Sequence, residues 1–185
     1  MSGTQTTTAN AEQDAPVRRR LSWQRLLLIE AALLLSMAAG VFLWLEHEAR
    51  GPAHAFSATD LEGNPVSLDQ YLADGPVVIR FWATWCPNCK REQHMIDSMA
   101  DGGRVLTVAI QSGGERDVRA YVEAEGLDMP TIVDADGHIA IPYDVVAVPT
   151  TLIIDQDGEV RFRMLGLTGE WGLRLRLWLA GAFST

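Results

Sequence analysis

The sequence predicts an α/β domain with a mixed central sheet flanked by helices, preceded by one N-terminal transmembrane helix. Two observations support this prediction. After residue 55, short β-branched segments alternate with segments of helical spacing, which is the order typical of layered α/β domains. Before them, the twenty residues 26–45 (LLLIEAALLLSMAAGVFLWL) contain one charge, and about twenty apolar residues span a bilayer core as a helix.

The N-terminal part divides into a tail, a helix and a linker. Residues 1–20 are mostly polar and predict a disordered cytoplasmic tail, 21–45 predict a signal-anchor helix, and 46–55 predict a linker. Positive charge stays on the cytoplasmic side of a membrane helix, and here it precedes the helix, as Arg18, Arg19, Arg20 and Arg25. We therefore expect a single-pass protein of the bacterial inner membrane whose following domain is periplasmic.

A cleavable signal peptide is the alternative for the same segment. Ala53-His54-Ala55 has the small-x-small form of a cleavage site. An apolar run of twenty residues exceeds the usual signal-peptide core of about 7–15 residues, which favours a retained anchor. Under either interpretation the domain is exported.

The exported part is strongly acidic. Residues 46–185 carry 11 basic and 21 acidic side chains, whereas residues 1–45 have a net charge of +1. Nucleic-acid-binding domains present basic surfaces, so this balance argues against a nucleic-acid partner.

The first elements of the domain, residues 56–185, follow from apolar patches and turn residues. Two short patches in 56–71 flank Gly63-Asn64-Pro65 and predict a hairpin. The run 76–82 (PVVIRFW) predicts a buried strand. A helix should follow this strand, because three apolar residues after the strand have helical spacing: Met95, Ile96 and Met99.

The rest of the sequence predicts a strand, a helix, a strand, a hairpin and a helix, in that order. The expected strands are 105–110, 129–134, 150–155 and 159–165, the last two joined by an Asp157-Gly158 turn. The expected helices are 115–126, closed by Gly126, and 169–182, in which Leu173, Leu177 and Ala180 share one face. This order predicts a mixed sheet.

Both cysteines of the chain, Cys86 and Cys89, lie between the strand 76–82 and the helix that follows it. A zinc site needs four ligands, and the chain adds only four scattered histidines to this pair. A disulfide between them would close a loop of two intervening residues and so would stabilise the fold weakly. Redox chemistry suits a strand–CxxC–helix arrangement better than either alternative.

The position of each cysteine predicts its role. A helix N-terminus stabilises a thiolate, so we expect Cys86 to be the exposed nucleophile. Cys89, one turn further on, should be the resolving thiol that attacks the mixed disulfide. Pro87 suits the first helical position, where its missing N–H costs no hydrogen bond.

The segment 81–92 (FWATWCPNCKRE) resembles the active-site segment of the thioredoxin superfamily, in particular its membrane-anchored TlpA/ResA/DsbE-like branch, which includes proteins of cytochrome c biogenesis. Two further segments share the resemblance, 56–68 (FSATDLEGNPVSL) and 146–155 (VAVPTTLIID). It covers roughly residues 55–180 and implies a thioredoxin fold.

The resemblance also implies roles for residues around the cysteines. Pro149 would be a cis proline facing the pair, and the backbone of Val148 would pair with a substrate strand. Trp85 and Pro87 would complete the substrate-binding surface. Glu92 would be a buried acid that exchanges protons with Cys89, although a lone glutamate on a helix is more often solvated.

Arg80 departs from the family pattern, which has an acidic or uncharged residue at this position of the strand. Near the thiols, its charge would favour the thiolate. The sequence leaves two other arrangements open, an ion pair with Glu92 or a side chain that points to solvent.

The function that follows is a thiol:disulfide oxidoreductase. The resemblance implies that it reduces disulfides in exported proteins and that a membrane electron donor re-reduces it. No cofactor is expected, because the cysteines are themselves the redox centre. An oxidase or isomerase would use the same residues and differ in reduction potential. A copper chaperone is a further alternative, since thiolates suit Cu(I). A redoxin-type peroxidase is the last, and peroxide consumption would reveal it.

Overall fold

The structure is a computed structural model that describes residues 23–47 and 51–182. The chain divides between Phe42 and Leu43 into two compact units. The first unit contains most of helix α1 (Trp23–His47), which matches the helix predicted over 21–45. Among the described residues, no helix combines the length and the apolar character needed to cross a membrane. The predicted tail, 1–20, lies outside the described residues.

The second unit is built on a five-stranded mixed sheet, as the sequence predicts, and its strand order is β5-β4-β3-β6-β7. Strands β5, β4 and β3 are parallel, whereas β6 and β7 run antiparallel to their neighbours. The strands are β3 (Val77–Trp82), β4 (Val105–Ile110), β5 (Thr131–Asp134), β6 (Thr150–Ile154) and β7 (Val160–Leu165).

The two central parallel strands are buried along their whole length. Every residue of β3 and of β4 is buried, which is why both are apolar runs apart from Arg80 and Thr107. On one face the sheet packs with residues of α3 (Pro87–Ala100), α4 (Glu115–Glu125) and α5 (Glu170–Ala182). On the other face it packs with a short helix, α2 (Leu68–Leu72), and with residues 139–143.

The predicted N-terminal hairpin is present as β1 (Ser57–Thr59) paired with β2 (Pro65–Ser67). The sequence analysis missed α2, which begins directly after β2. Ser67 and Gln70 form a capping box in which each side chain accepts the other's backbone N–H, and this ends the strand and starts the helix.

Part of the predicted linker, 46–55, belongs to the domain. The Ala53 N–H donates to the Gly158 carbonyl (2.7 Å), and the Val160 N–H donates to the Gly51 carbonyl (2.9 Å). These bonds fasten the incoming chain to the β6–β7 hairpin, whose turn is the predicted Asp157-Gly158. Gly51 and Ala53, which the sequence analysis assigned to the linker, therefore pair with the domain.

Gly126 ends α4 in the left-handed conformation, with φ 63° and ψ 48°. We expect Gly126→Ala to lower the free energy of unfolding by about 1 kcal/mol, because a Cβ is disfavoured in this conformation. Urea denaturation followed by circular dichroism measures the change. Gly102→Ala is the matched control, since its backbone has no positive φ and the added Cβ would make only an ordinary contact. Equal losses in the two variants would contradict the assignment of this cap.

Candidate active site

The junction of β3 and α3 positions the two cysteines. Cys86 is the N-cap of α3, with extended backbone (φ −82°, ψ 113°), and Pro87 occupies the first helical turn as predicted. Cys86 and Cys89 form a disulfide, with their Cα atoms 5.2 Å apart. The Cys89 N–H donates to Cys86 Sγ at 3.1 Å. The first sulfur therefore lies at the helix N-terminus, where a thiolate is stabilised.

The predicted exposure of Cys86 is wrong. Cys86 and Cys89 are each 3% exposed. Cys86 is covered because a loop from a distant part of the chain folds over it, with the Val148 carbonyl oxygen 3.6 Å from Cys86 Sγ. The difference between the two sulfurs is thus one of position on the helix, since burial does not distinguish them.

The loop that covers Cys86 contains the predicted cis proline. The Val148–Pro149 peptide bond is cis, which confirms that expectation. Pro149 is buried, and its carbonyl accepts the Gly166 N–H at 2.8 Å, which ties the loop to the end of β7. Val148 is half-buried beside the disulfide. The pairing of its backbone with substrate stays a prediction.

Trp85 and Pro87 flank Cys86 and are both exposed. Trp85 is 56% exposed, and its Nε1–H donates to the Gln111 carbonyl at 2.8 Å, which fixes the indole beside the end of β4. The exposed indole forms an apolar surface beside the buried disulfide, and its contact with substrate stays a prediction. The structure thus brings together all four predicted substrate-binding residues.

Arg80 and Glu92 form a buried ion pair. The sequence had left open whether each side chain is buried or points to solvent. Arg80 is 2% exposed and Glu92 is 8% exposed. Arg80 Nη2 donates to Glu92 Oε2 at 2.5 Å, and Arg80 Nη1 donates to Thr151 Oγ1 at 3.0 Å. The Thr168 N–H donates to Glu92 Oε1. Arg80 therefore does not point to solvent, and Glu92 is not a solvated carboxylate.

Burial lowers the pKa of Arg80 from its ordinary value, and the neighbouring Glu92 carboxylate opposes this shift. A guanidinium keeps its proton in proteins, so the group is a buried cation. A buried ion pair has a large desolvation cost, which the attraction between the partners and their further hydrogen bonds must offset. The contacts of Thr151 and Thr168 supply those hydrogen bonds.

A small cavity adjoins both Arg80 and Cys89. Its lining residues come from β3, from α3 and from the segment just before β5: Arg80, Trp82, Cys89, Gln93, Ile96 and Met129. Trp82 Nε1 is buried and has no hydrogen-bond partner among the described residues. No cluster of three or more potential metal ligands occurs in the part of the chain that the structure describes.

Thr151 and Thr168 are site residues that the sequence analysis missed. Thr151 lies opposite Arg80 in the β3–β6 register, so finding it would have required the antiparallel pairing of these strands. Thr168 acts through its backbone N–H, for which its side chain gives no signal. The proton-exchange role of Glu92 stays a prediction.

The chain is similar to several proteins of known family. Residues 49–163 match the AhpC/TSA family. The chain is 34% identical over 125 residues to a thioredoxin-like protein of Haemophilus influenzae, covering 67% of this chain and 74% of that one. It is 31% identical over 151 residues to the thiol-disulfide oxidoreductase ResA of Geobacillus kaustophilus, covering 75% and 86%. It is 29% identical over 159 residues to the thiol:disulfide interchange protein DsbE of Escherichia coli, covering 77% and 86%.

Two solved structures of thioredoxins have a fold similar to that of this chain. A putative thioredoxin of Neisseria meningitidis superposes with a TM-score of 0.63 at 29% identity, covering 71% of this chain and 91% of that one. The exposed lipoprotein thioredoxin Etrx1 of Streptococcus pneumoniae gives 0.61 at 26% identity, covering 68% and 99%. The fold is thioredoxin-like, and the chain belongs to the thioredoxin-like AhpC/TSA family.

Proposed function

We propose that this protein is an exported, membrane-tethered thiol:disulfide oxidoreductase that reduces disulfides in other exported proteins. The observation that supports this most strongly is the Cys86–Cys89 disulfide at the N-terminus of α3, covered by the loop that contains Val148 and cis-Pro149. Relatives named thiol-disulfide oxidoreductase and thiol:disulfide interchange protein support the same reaction class.

The reaction uses both cysteines in turn. In the reduced protein, the Cys86 thiolate attacks one sulfur of a substrate disulfide, and the other substrate sulfur leaves as a thiolate. The Cys89 thiolate then attacks Cys86 Sγ, which re-forms the Cys86–Cys89 disulfide and releases the second substrate sulfur. The substrate gains two electrons and two protons, and a membrane electron donor restores both to the protein.

The same geometry would serve an oxidase running in the opposite direction. Direction depends on the reduction potential, which spans about −270 to −120 mV among thioredoxin-fold proteins. We assign the reductive direction because the segment 81–92 resembles the TlpA/ResA/DsbE-like branch.

The tether and the compartment follow from the sequence around α1. The apolar run 26–45, with basic residues before it and acidic residues after it, supports a bacterial inner-membrane anchor with the N-terminus in the cytoplasm. The catalytic domain would then lie in the periplasm, where disulfides persist. A fractionation experiment with protease protection of the C-terminal domain tests this placement.

The reduction potential tests the direction of the reaction. The full chain in detergent is equilibrated in dithiothreitol buffers, and the oxidised fraction of the Cys86–Cys89 pair is measured after alkylation. We expect a value near about −270 mV, as for a dedicated reductant. A value near about −120 mV would make the protein a disulfide donor and would contradict the proposal.

A further inference from the structure

We propose that the Arg80 guanidinium, and not the Glu92 carboxylate, is the charge that faces Cys89, and that it stabilises the Cys89 thiolate that resolves the mixed disulfide. This inference rests on the proposed function, because it assigns a role within the same reaction. Glu92 then acts through Arg80 as a positioning residue, and it is not the group that receives the proton of Cys89.

The first support is the side of β3 on which Arg80 lies. Alternate residues of a strand point to the same face of a sheet. Val78 and Trp82, two positions to either side of Arg80, belong to the same buried cluster as Cys89. The Arg80 side chain therefore enters the layer between the sheet and α3, and its bond to Glu92 of α3 agrees with this.

The second support is the small cavity beside the disulfide. Arg80 and Cys89 both line this cavity, whereas Glu92 is not among its lining residues. Glu92 is instead held by the Thr168 N–H in the β7–α5 loop. Arg80 and Cys89 thus adjoin one common space, whereas the Glu92 carboxylate is held by Arg80 and by the Thr168 N–H.

The third support is the distribution of the other charges around Cys89. On α3, Lys90 is exposed, with Nζ 5.3 Å from the centre of the Tyr121 ring of α4. Gln93 separates the cavity from the remaining groups of α4, since its side chain accepts from Tyr121 Oη and donates to Glu125. Among the described residues that line the cavity, Arg80 is therefore the one with a formal charge.

These contacts determine what Arg80 does in the reaction. Cys89 must lose its proton before its sulfur attacks Cys86 Sγ, and a cation close to a buried thiol favours the charged form. The proton passes to water, and the departing substrate thiolate takes one up, so the overall balance of the exchange is unchanged. Glu92 fixes the guanidinium and compensates its charge inside the fold.

The experiment measures thiolate formation at Cys89 alone. In Cys86→Ser protein, Cys89 is the single thiol, and its thiolate is followed by absorbance at about 240 nm against pH. Cys86→Ser/Cys89→Ser protein provides the baseline. We expect Arg80→Met to move the midpoint up by about one pH unit, the effect typical of losing a nearby opposite charge. Arg80→Lys keeps the charge and should retain most of the original midpoint.

Arg80→Met alone leaves the Glu92 carboxylate buried without its partner, which could prevent folding. The double variant Arg80→Met/Glu92→Leu avoids this, because it replaces both charges with apolar groups. Removing both charges leaves the net charge of the site unchanged, so the sign of the shift reports which charge lies closer to Cys89. We expect an upward shift. A downward shift in the double variant, or an unchanged midpoint in folded Arg80→Met, would overturn the inference.

This titration is independent of the proposed function, since it requires neither substrate nor electron donor. A protein that fails as a reductase in the potential measurement could still show the expected midpoints. Conversely, unchanged midpoints in a protein that has the reduction potential of a dedicated reductant would remove the role of Arg80 and leave the reductase assignment intact.

Discussion

Cys86→Ser should reduce the rate of disulfide exchange by at least about a thousandfold, because removing the nucleophile of a covalent mechanism leaves only the contribution of the surrounding groups. The reason lies in the position of Cys86 at the start of α3, where the helix N-terminus stabilises the attacking thiolate. The measurement is a single-turnover reaction between pre-reduced protein and a peptide disulfide, with the released thiol detected. Ser98→Ala, on an exposed position of the same helix, is the control and should leave the rate unchanged.

Cys89→Ser should give a different result from Cys86→Ser. The first attack still occurs, but no thiol resolves the product, so a mixed disulfide between Cys86 and substrate accumulates. Mass spectrometry of the trapped species identifies both the bonded cysteine and the substrate. If Cys89→Ser protein accumulated no adduct under conditions where the native protein is active, the assignment of Cys86 as nucleophile would be wrong.

Glu92→Leu should lower the free energy of unfolding by about 3–5 kcal/mol. The substitution leaves the Arg80 guanidinium buried without its carboxylate partner, and Thr151 alone cannot compensate its charge. Urea denaturation followed by circular dichroism measures the loss. Glu170→Ala is the control, because the Glu170–Arg174 pair is about half exposed, and exposed pairs contribute less than about 1 kcal/mol.

Arg80→Met/Glu92→Leu should recover most of the stability that Glu92→Leu loses. Replacing a whole buried ion pair with apolar side chains of similar size is often neutral or stabilising, since the desolvation cost disappears with the charges. A double variant as unstable as Glu92→Leu alone would contradict this account, because removing the unpaired guanidinium would then have recovered no stability. A Glu92→Leu loss as small as that of Glu170→Ala would contradict the burial of the pair.

The parts of the fold that the sequence predicts are those set by local pattern. Strands β3 and β4 are apolar runs apart from Arg80 and Thr107, and α4 ends at a glycine, the residue that the left-handed conformation favours. The sequence analysis missed α2 because the apolar residues in 56–71 also fit the second strand of a hairpin. The capping box of Ser67 and Gln70 is the feature that starts a helix at this point.

The parts of the site that the sequence does not predict depend on contacts between distant residues. The Cys86 sulfur contacts the carbonyl of Val148, which lies 62 positions later in the chain. The sequence could not decide whether Arg80 pairs with Glu92 or points to solvent, because a charged residue near a strand end suits both arrangements. The position of Thr151 opposite Arg80 depends on the pairing of two strands that are distant in the sequence. The positions of the two cysteines, in contrast, follow from the strand and helix that flank them.

The most direct test of the central claim is a redox balance on the cysteine pair itself. The full chain is reduced, freed of reductant, and mixed with one equivalent of a peptide disulfide, and all remaining thiols are then alkylated and analysed by mass spectrometry. We predict that the Cys86–Cys89 disulfide forms in the same amount as the peptide is reduced. Reduced peptide without this disulfide, or a Cys86–Cys89 pair that stays fully alkylated while the peptide stays oxidised, would contradict the claim.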